Sequence, residues 1–112
     1  VFQHVIDTER ILSYRALCFA RKEQQSLPGF EENDYAANSR ATTRNWNDMV
    51  EEYTLVRKAT EMLYKTFDDE TLQNEGIANK NPMYVLALGF IISGHCQHHL
   101  NIIRERYIGN VK

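Results

Sequence analysis

The sequence predicts an all-α helical bundle, on three observations. Apolar residues recur at three-four spacing in three separate stretches, the segments joining those stretches are polar, and no stretch alternates with the period of two that marks a strand. The whole chain reads as a single domain over 1–112, with three long helices and two connections. Three helices can close a core, but the pattern of the first is already helical at Val1, with no capping residue before it. A four-helix bundle whose first helix precedes Val1 is therefore the expected architecture.

The first helix is predicted from Val1 to about Glu23. Val5, Ile11, Leu12, Leu17, Cys18 and Phe19 form its apolar stripe, and Arg10, Arg21, Lys22 and Glu23 lie outside it. The face of His4 continues through Asp7, Thr8, Ile11, Arg15 and Phe19, so polar groups are embedded near the start of a core-facing stripe. The segment from Gln24 to Arg44, with Pro28, Gly29 and little apolar periodicity, reads as a long connection. Asn45 followed by Asp48 reads as an N-cap with an acidic third position, opening a second helix that ends near Phe67. Trp46, Met49, Val50, Tyr53, Val56, Leu63 and Phe67 are its expected core face. After the polar stretch 68–80, Asn81 and Pro82 are expected to supply the cap and first turn of the last helix, which would run to about Ile108 and close at Gly109.

Composition narrows the function. Thirteen lysines and arginines against fifteen aspartates and glutamates give a formal net charge of -2, too little positive field to hold a nucleic acid. The apolar run within the last helix is shorter than the ~20 residues that span a bilayer, so no membrane partner is expected. Two cysteines, Cys18 and Cys96, fit neither a zinc-finger pattern nor a disulfide framework, which points to free thiols and a cytoplasmic protein.

Three of the four histidines, His95, His98 and His99, fall in the last helix. By helical geometry His99 lies about 40° from His95 on the face shared with Leu88, Ile92 and Ile102, while His98 lies about 60° to the other side. Two unpartnered imidazoles on such a face would cost on the order of 1–3 kcal/mol each, so either core hydrogen bonds or a metal must satisfy them. His4 is the candidate third ligand, since neutral imidazoles with an open position suit zinc, nickel, iron or manganese. Asp7 could ligate directly, hold the other N–H of a ligand imidazole, or be a plain first-turn acid. His98 could replace His99 as the partner at i+3, orient a ligand, or face solvent. Arg15 could meet an anionic group or a carboxylate of the bundle.

These residues carry a resemblance. HVIDTERI from His4 to Ile11, SLPGFEENDY over 26–35, EGIANKNP over 75–82 and GHCQHHLNIIRERY over 94–107 together resemble the DinB-like family of metal-binding bundles, along essentially the whole chain. The resemblance implies an up-down-down-up four-helix bundle holding one divalent metal ion on three histidines, which map to His4, His95 and His99. It implies that the family's first helix, and the tryptophan-containing turn before its histidine helix, are absent here. It also implies a choice of activities, a metal-dependent thiol transferase joining a small thiol to an electrophile or an iron-dependent domain of a sulfoxide synthase; a hydrolase and a non-catalytic metal-binding stress protein are the other expectations. Because a bundle short of one helix exposes apolar surface, a homodimer or a dimerising structural bundle is a further expectation.

Overall fold

A computed structural model describes residues 2–94 and is mostly helical, with one small two-stranded sheet. α1 spans Phe2–Ala20 and α3 spans Trp46–Lys65, separated by the short α2, Glu32–Asn38, and a 3-10 turn, Ala41–Thr43. α4, Asp69–Leu72, leads into β1, Glu75–Ala78, and β2, Asn81–Tyr84, and residues 85–94 are again helical and form α5.

The helix ends follow from local chemistry. Lys22 takes a left-handed conformation with φ 64°. Its N–H reaches the Phe19 carbonyl and the Glu23 N–H reaches that of Cys18, which satisfies the last orphan carbonyls of α1. Asn45 caps α3 as the sequence predicts, its side chain accepting from the Asp48 N–H at 3.1 Å. Asp68 caps α4 in the same way, accepting from the Thr71 N–H at 2.7 Å.

The expectation of a chain without strands is corrected. Glu75–Ala78 and Asn81–Tyr84 pair antiparallel, with Ala78 opposite Asn81. Asn79 and Lys80 join them with φ 50° and 68°, the two positive values of a tight turn whose twist suits a hairpin. Asn81 and Pro82 consequently lie in β2, not at a helix start, and α5 begins three residues after Pro82. Proline is tolerated there because β2 pairs on one side only. On the far side of β1, Leu27 makes a parallel bridge, its N–H donating to the Ile77 carbonyl at 2.8 Å and its own carbonyl accepting from Asn79 at 2.9 Å. The connection after α1 is thus pinned to the hairpin. Gly76 lets the hairpin lie against α1, since a Cβ there would stand 2.1 Å from Cδ1 of Phe19. Asn74 ties the layers together: its side-chain amide donates to the carbonyls of Phe19 and Ala20 at the end of α1, and its own carbonyl accepts from the Val85 N–H at the start of α5.

Two apolar clusters result. The larger joins Leu12, Ala16 and Phe19 of α1 to Phe67, Ala78, Val85, Leu88 and Ile92. The smaller joins Phe2, Val5 and Ile6 to Val56 of α3. Within α5 the buried positions are Val85, Leu88 and Ile92, the expected inward face, whereas Phe90 is 71% exposed. Trp46, also expected in the core, is 52% exposed and meets Phe2 at the rim, with ring centroids 4.9 Å apart. His95, Cys96, His98 and His99, and the predicted end of the last helix, lie outside the described residues.

Candidate functional site

His4 sits in the first turns of α1, half-buried, between buried Phe2 and the buried pair Val5 and Ile6. Its Nδ1 lies 3.4 Å from Oγ1 of Thr8, one turn on and itself buried. In the neutral tautomer that donates from Nδ1 to Thr8, the lone pair is on Nε2, the form a metal ligand requires. Asp7 is also half-buried, and its Oδ1 accepts from Nε2 of Gln3 at 2.9 Å. The described residues therefore give Asp7 a partner on its own helix. Gln3 Oε1 in turn accepts from Arg44 at 2.6 Å, and Arg44 pairs with Glu52, which also takes a bond from Arg10 at 2.9 Å. The hydrogen bonds from Arg10, the largest single cause, and from Arg44 hold the Glu52 carboxyl below its usual range.

Two elements fix where α1 points. On one side, α3 holds it through a buried carboxylate. Glu9 is 3% exposed and receives Arg57 in a fork, with Nη2 at 2.6 Å and Nε at 3.1 and 3.0 Å from its two oxygens. Thr60 donates to the same carboxylate at 2.9 Å and meets the Ser13 hydroxyl at 2.8 Å. On the other side lies α2, in the segment expected to be a plain connection. Arg15 anchors it: its Nη2 donates to the Pro28 carbonyl at 3.1 Å and its guanidinium lies 6.0 Å from the Phe30 ring centroid. Arg15 thus meets a carbonyl and a ring where an anionic group or a carboxylate is expected, and burial lowers its pKa. The result is a cavity of about 160 Å³ between the first turns of α1 and α2, with His4 and Asp7 in its wall.

Among the described residues no three histidine, cysteine, aspartate or glutamate side chains converge on one point. Of the predicted ligands only His4 is described; His95 and His99, and His98 beside them, lie outside. In the described part of α5, Leu88 and Ile92 are buried. Gln3, Glu32, Tyr35 and Arg44 are not anticipated from the sequence. Each belongs to an interaction formed between segments far apart in the chain, which no local period records. Glu9 and Arg57, 48 positions apart, are missed for the same reason.

The described residues define a mostly helical protein with a half-buried histidine near the start of its first helix. The family comparison is more specific: the DinB superfamily model matches residues 1–103. The chain belongs to the DinB superfamily, in which metal binding is common. No curated protein and no solved structure matches it. No helix among the described residues is long and apolar enough to cross a membrane.

Proposed function

We propose that the chain closes a four-helix type of bundle around one divalent metal ion, held by His4, His95 and His99, and that it acts as a metal-dependent thiol transferase on small electrophiles. The observation that carries the reading is that α5 packs on α1 through Leu88 and Ile92, whose sequence spacing leads to 95 and 99, while α1 carries half-buried His4. The donor chemistry fits, since three neutral imidazoles leave a coordination position open. Thr8 orients the His4 ring, and the Glu9–Arg57 fork fixes the helix that carries it. His98 is assigned to hold the far N–H of a ligand imidazole. Bound there, the ion would lower the pKa of a small thiol and so supply a thiolate nucleophile.

The test is metal content after purification without added metal. About one divalent ion per chain is expected, lost in His95→Ala and His99→Ala and retained in His98→Ala. No stoichiometric ion, together with a His4→Ala melting temperature equal to that of wild type without chelator, would sink the metal site. With the ion present, a rate of thiol addition no faster than that of His99→Ala leaves a metal-binding protein without transferase activity. A second reading, a bundle that dimerises, draws on the exposure of Phe90, Met62, Leu55 and Tyr14, each at least 60% accessible. A monomeric mass by light scattering would exclude it.

A further inference from the structure

The cavity between α1 and α2 is lined by Gln3, His4, Asp7, Phe30, Glu32 and Tyr35, with small residues completing it. Its wall combines two carboxylates with two aromatic rings, Phe30 and Tyr35, whose centroids are 5.0 Å apart. No lysine or arginine is among these lining residues. Among the described residues, two guanidinium groups contact lining residues and have partners of their own. Arg44 bonds Gln3 and Glu52, while Arg15 bonds the Pro28 carbonyl and lies against Phe30.

We propose that this cavity binds the ammonium group of a small organic cation. A cleft walled by one sign of charge concentrates the opposite sign, and aromatic rings add attraction for ammonium groups with little demand on orientation. The volume, about 160 Å³, equals roughly five water molecules at ~30 Å³ each, room for an ammonium head and a short chain. A bare metal ion is the poorer match for these two acids. Asp7 stands on α1 and Glu32 on α2, and they do not converge with His4 into a three-ligand group. The inference deepens the proposed function, and rests on it only in that the remainder of such a molecule would extend toward the ion at His4. Recognition of the ammonium head uses Asp7, Glu32 and the Tyr35 ring, because the Phe30 ring already faces Arg15.

Choline and its uncharged carbon counterpart, 3,3-dimethylbutan-1-ol, distinguish charge from shape. Each is titrated into the full chain by NMR, once with chelator and once loaded with zinc. Choline is expected to bind in both states, roughly tenfold more tightly than the alcohol. Glu32→Gln and Tyr35→Leu, both at exposed positions and each verified as folded by circular dichroism, are expected to weaken choline several-fold and leave the alcohol unchanged. Equal binding of the two compounds, or choline binding unaltered in both variants, overturns the proposal. Choline discrimination in a protein that takes up no zinc would retain this site while removing the metal reading. Zinc uptake without choline discrimination would do the reverse.

Discussion

Arg57→Met is the perturbation that most directly tests how α1 is held. In the folded protein Glu9 is 3% exposed, and Arg57 supplies its oxygens with three N–H contacts between 2.6 and 3.1 Å. Methionine fills much of the same volume with no charge and no donor. The Glu9 carboxylate would then keep the Thr60 hydroxyl, at 2.9 Å, among its described partners, and one neutral donor does not offset a buried charge. Removing one partner of a buried pair destabilises by about 3–5 kcal/mol; the 24% exposure of the Arg57 side chain, which lets water reach the remaining carboxylate, selects the lower end, about 3 kcal/mol. At about 4 °C per kcal/mol for a chain of this size, the melting temperature should fall by roughly 12 °C. Urea unfolding followed by circular dichroism measures the change at constant m-value. The double variant Glu9→Leu, Arg57→Met removes the charge with its partner and should recover most of the loss. A single-variant loss under about 1 kcal/mol, or a double variant no more stable than Arg57→Met, would refute the assignment of this pair as a buried, mutually dependent unit.

Glu52→Gln should destabilise at neutral pH by up to about 1 kcal/mol, the range for partly exposed pairs. Because the folded-state pKa is depressed, that contribution is present above the ordinary carboxylate pKa and is lost as pH falls through the folded value, so wild type and variant should converge in acid. Tyr64, whose hydroxyl donates to the Val85 carbonyl at 2.8 Å, has its pKa pushed by burial up to about 12. Its neutral form is favoured in the folded state, so its contribution is complete below pH 10 and declines between 10 and 12; ultraviolet titration of wild type against Tyr64→Phe should show one late-ionising phenol. Gly76→Ala should lower stability by about 1–3 kcal/mol in thermal melts, since fully buried Phe19 has no free space to yield to the added methyl. Asn45→Ala should cost about 1 kcal/mol by loss of the α3 cap, read as a shift in the urea midpoint.

What the sequence reveals of this protein is its local physics. The apolar stripe of α1, the Asn45 cap with Asp48 behind it, and the inward face of Leu88 and Ile92 all depend on neighbours within one or two turns, and period and cap chemistry display them directly. The hairpin is hidden for an equally local reason. Its turn is Asn-Lys, without the glycine that usually marks a tight hairpin, its strands have four residues each, and Pro82 imitates the first turn of a helix. At the site, the facing of His4 is readable from α1 alone. The cavity beside it is not, because α2 has no buried residue to impose a period and is positioned by Arg15, Phe30 and the Leu27 bridge. Glu9 looks like one more solvated charge until α3 is folded against it.

Asn74 gives the hairpin an unexpected independence. The chain leaves at Asn74 and returns at Val85, and the hydrogen bond between these two residues closes the base of the excursion. The same asparagine grips the end of α1, so α1 and α5 are indexed to one point whatever happens further out. The ten residues between are a detour in the path, and the relative heights of the two helices do not depend on its length. Residues added after Lys80 would lengthen the detour and leave that index unmoved. Change at the hairpin tip is thereby separated from the axial alignment of α1 with α5, and so from the height at which α1 carries His4.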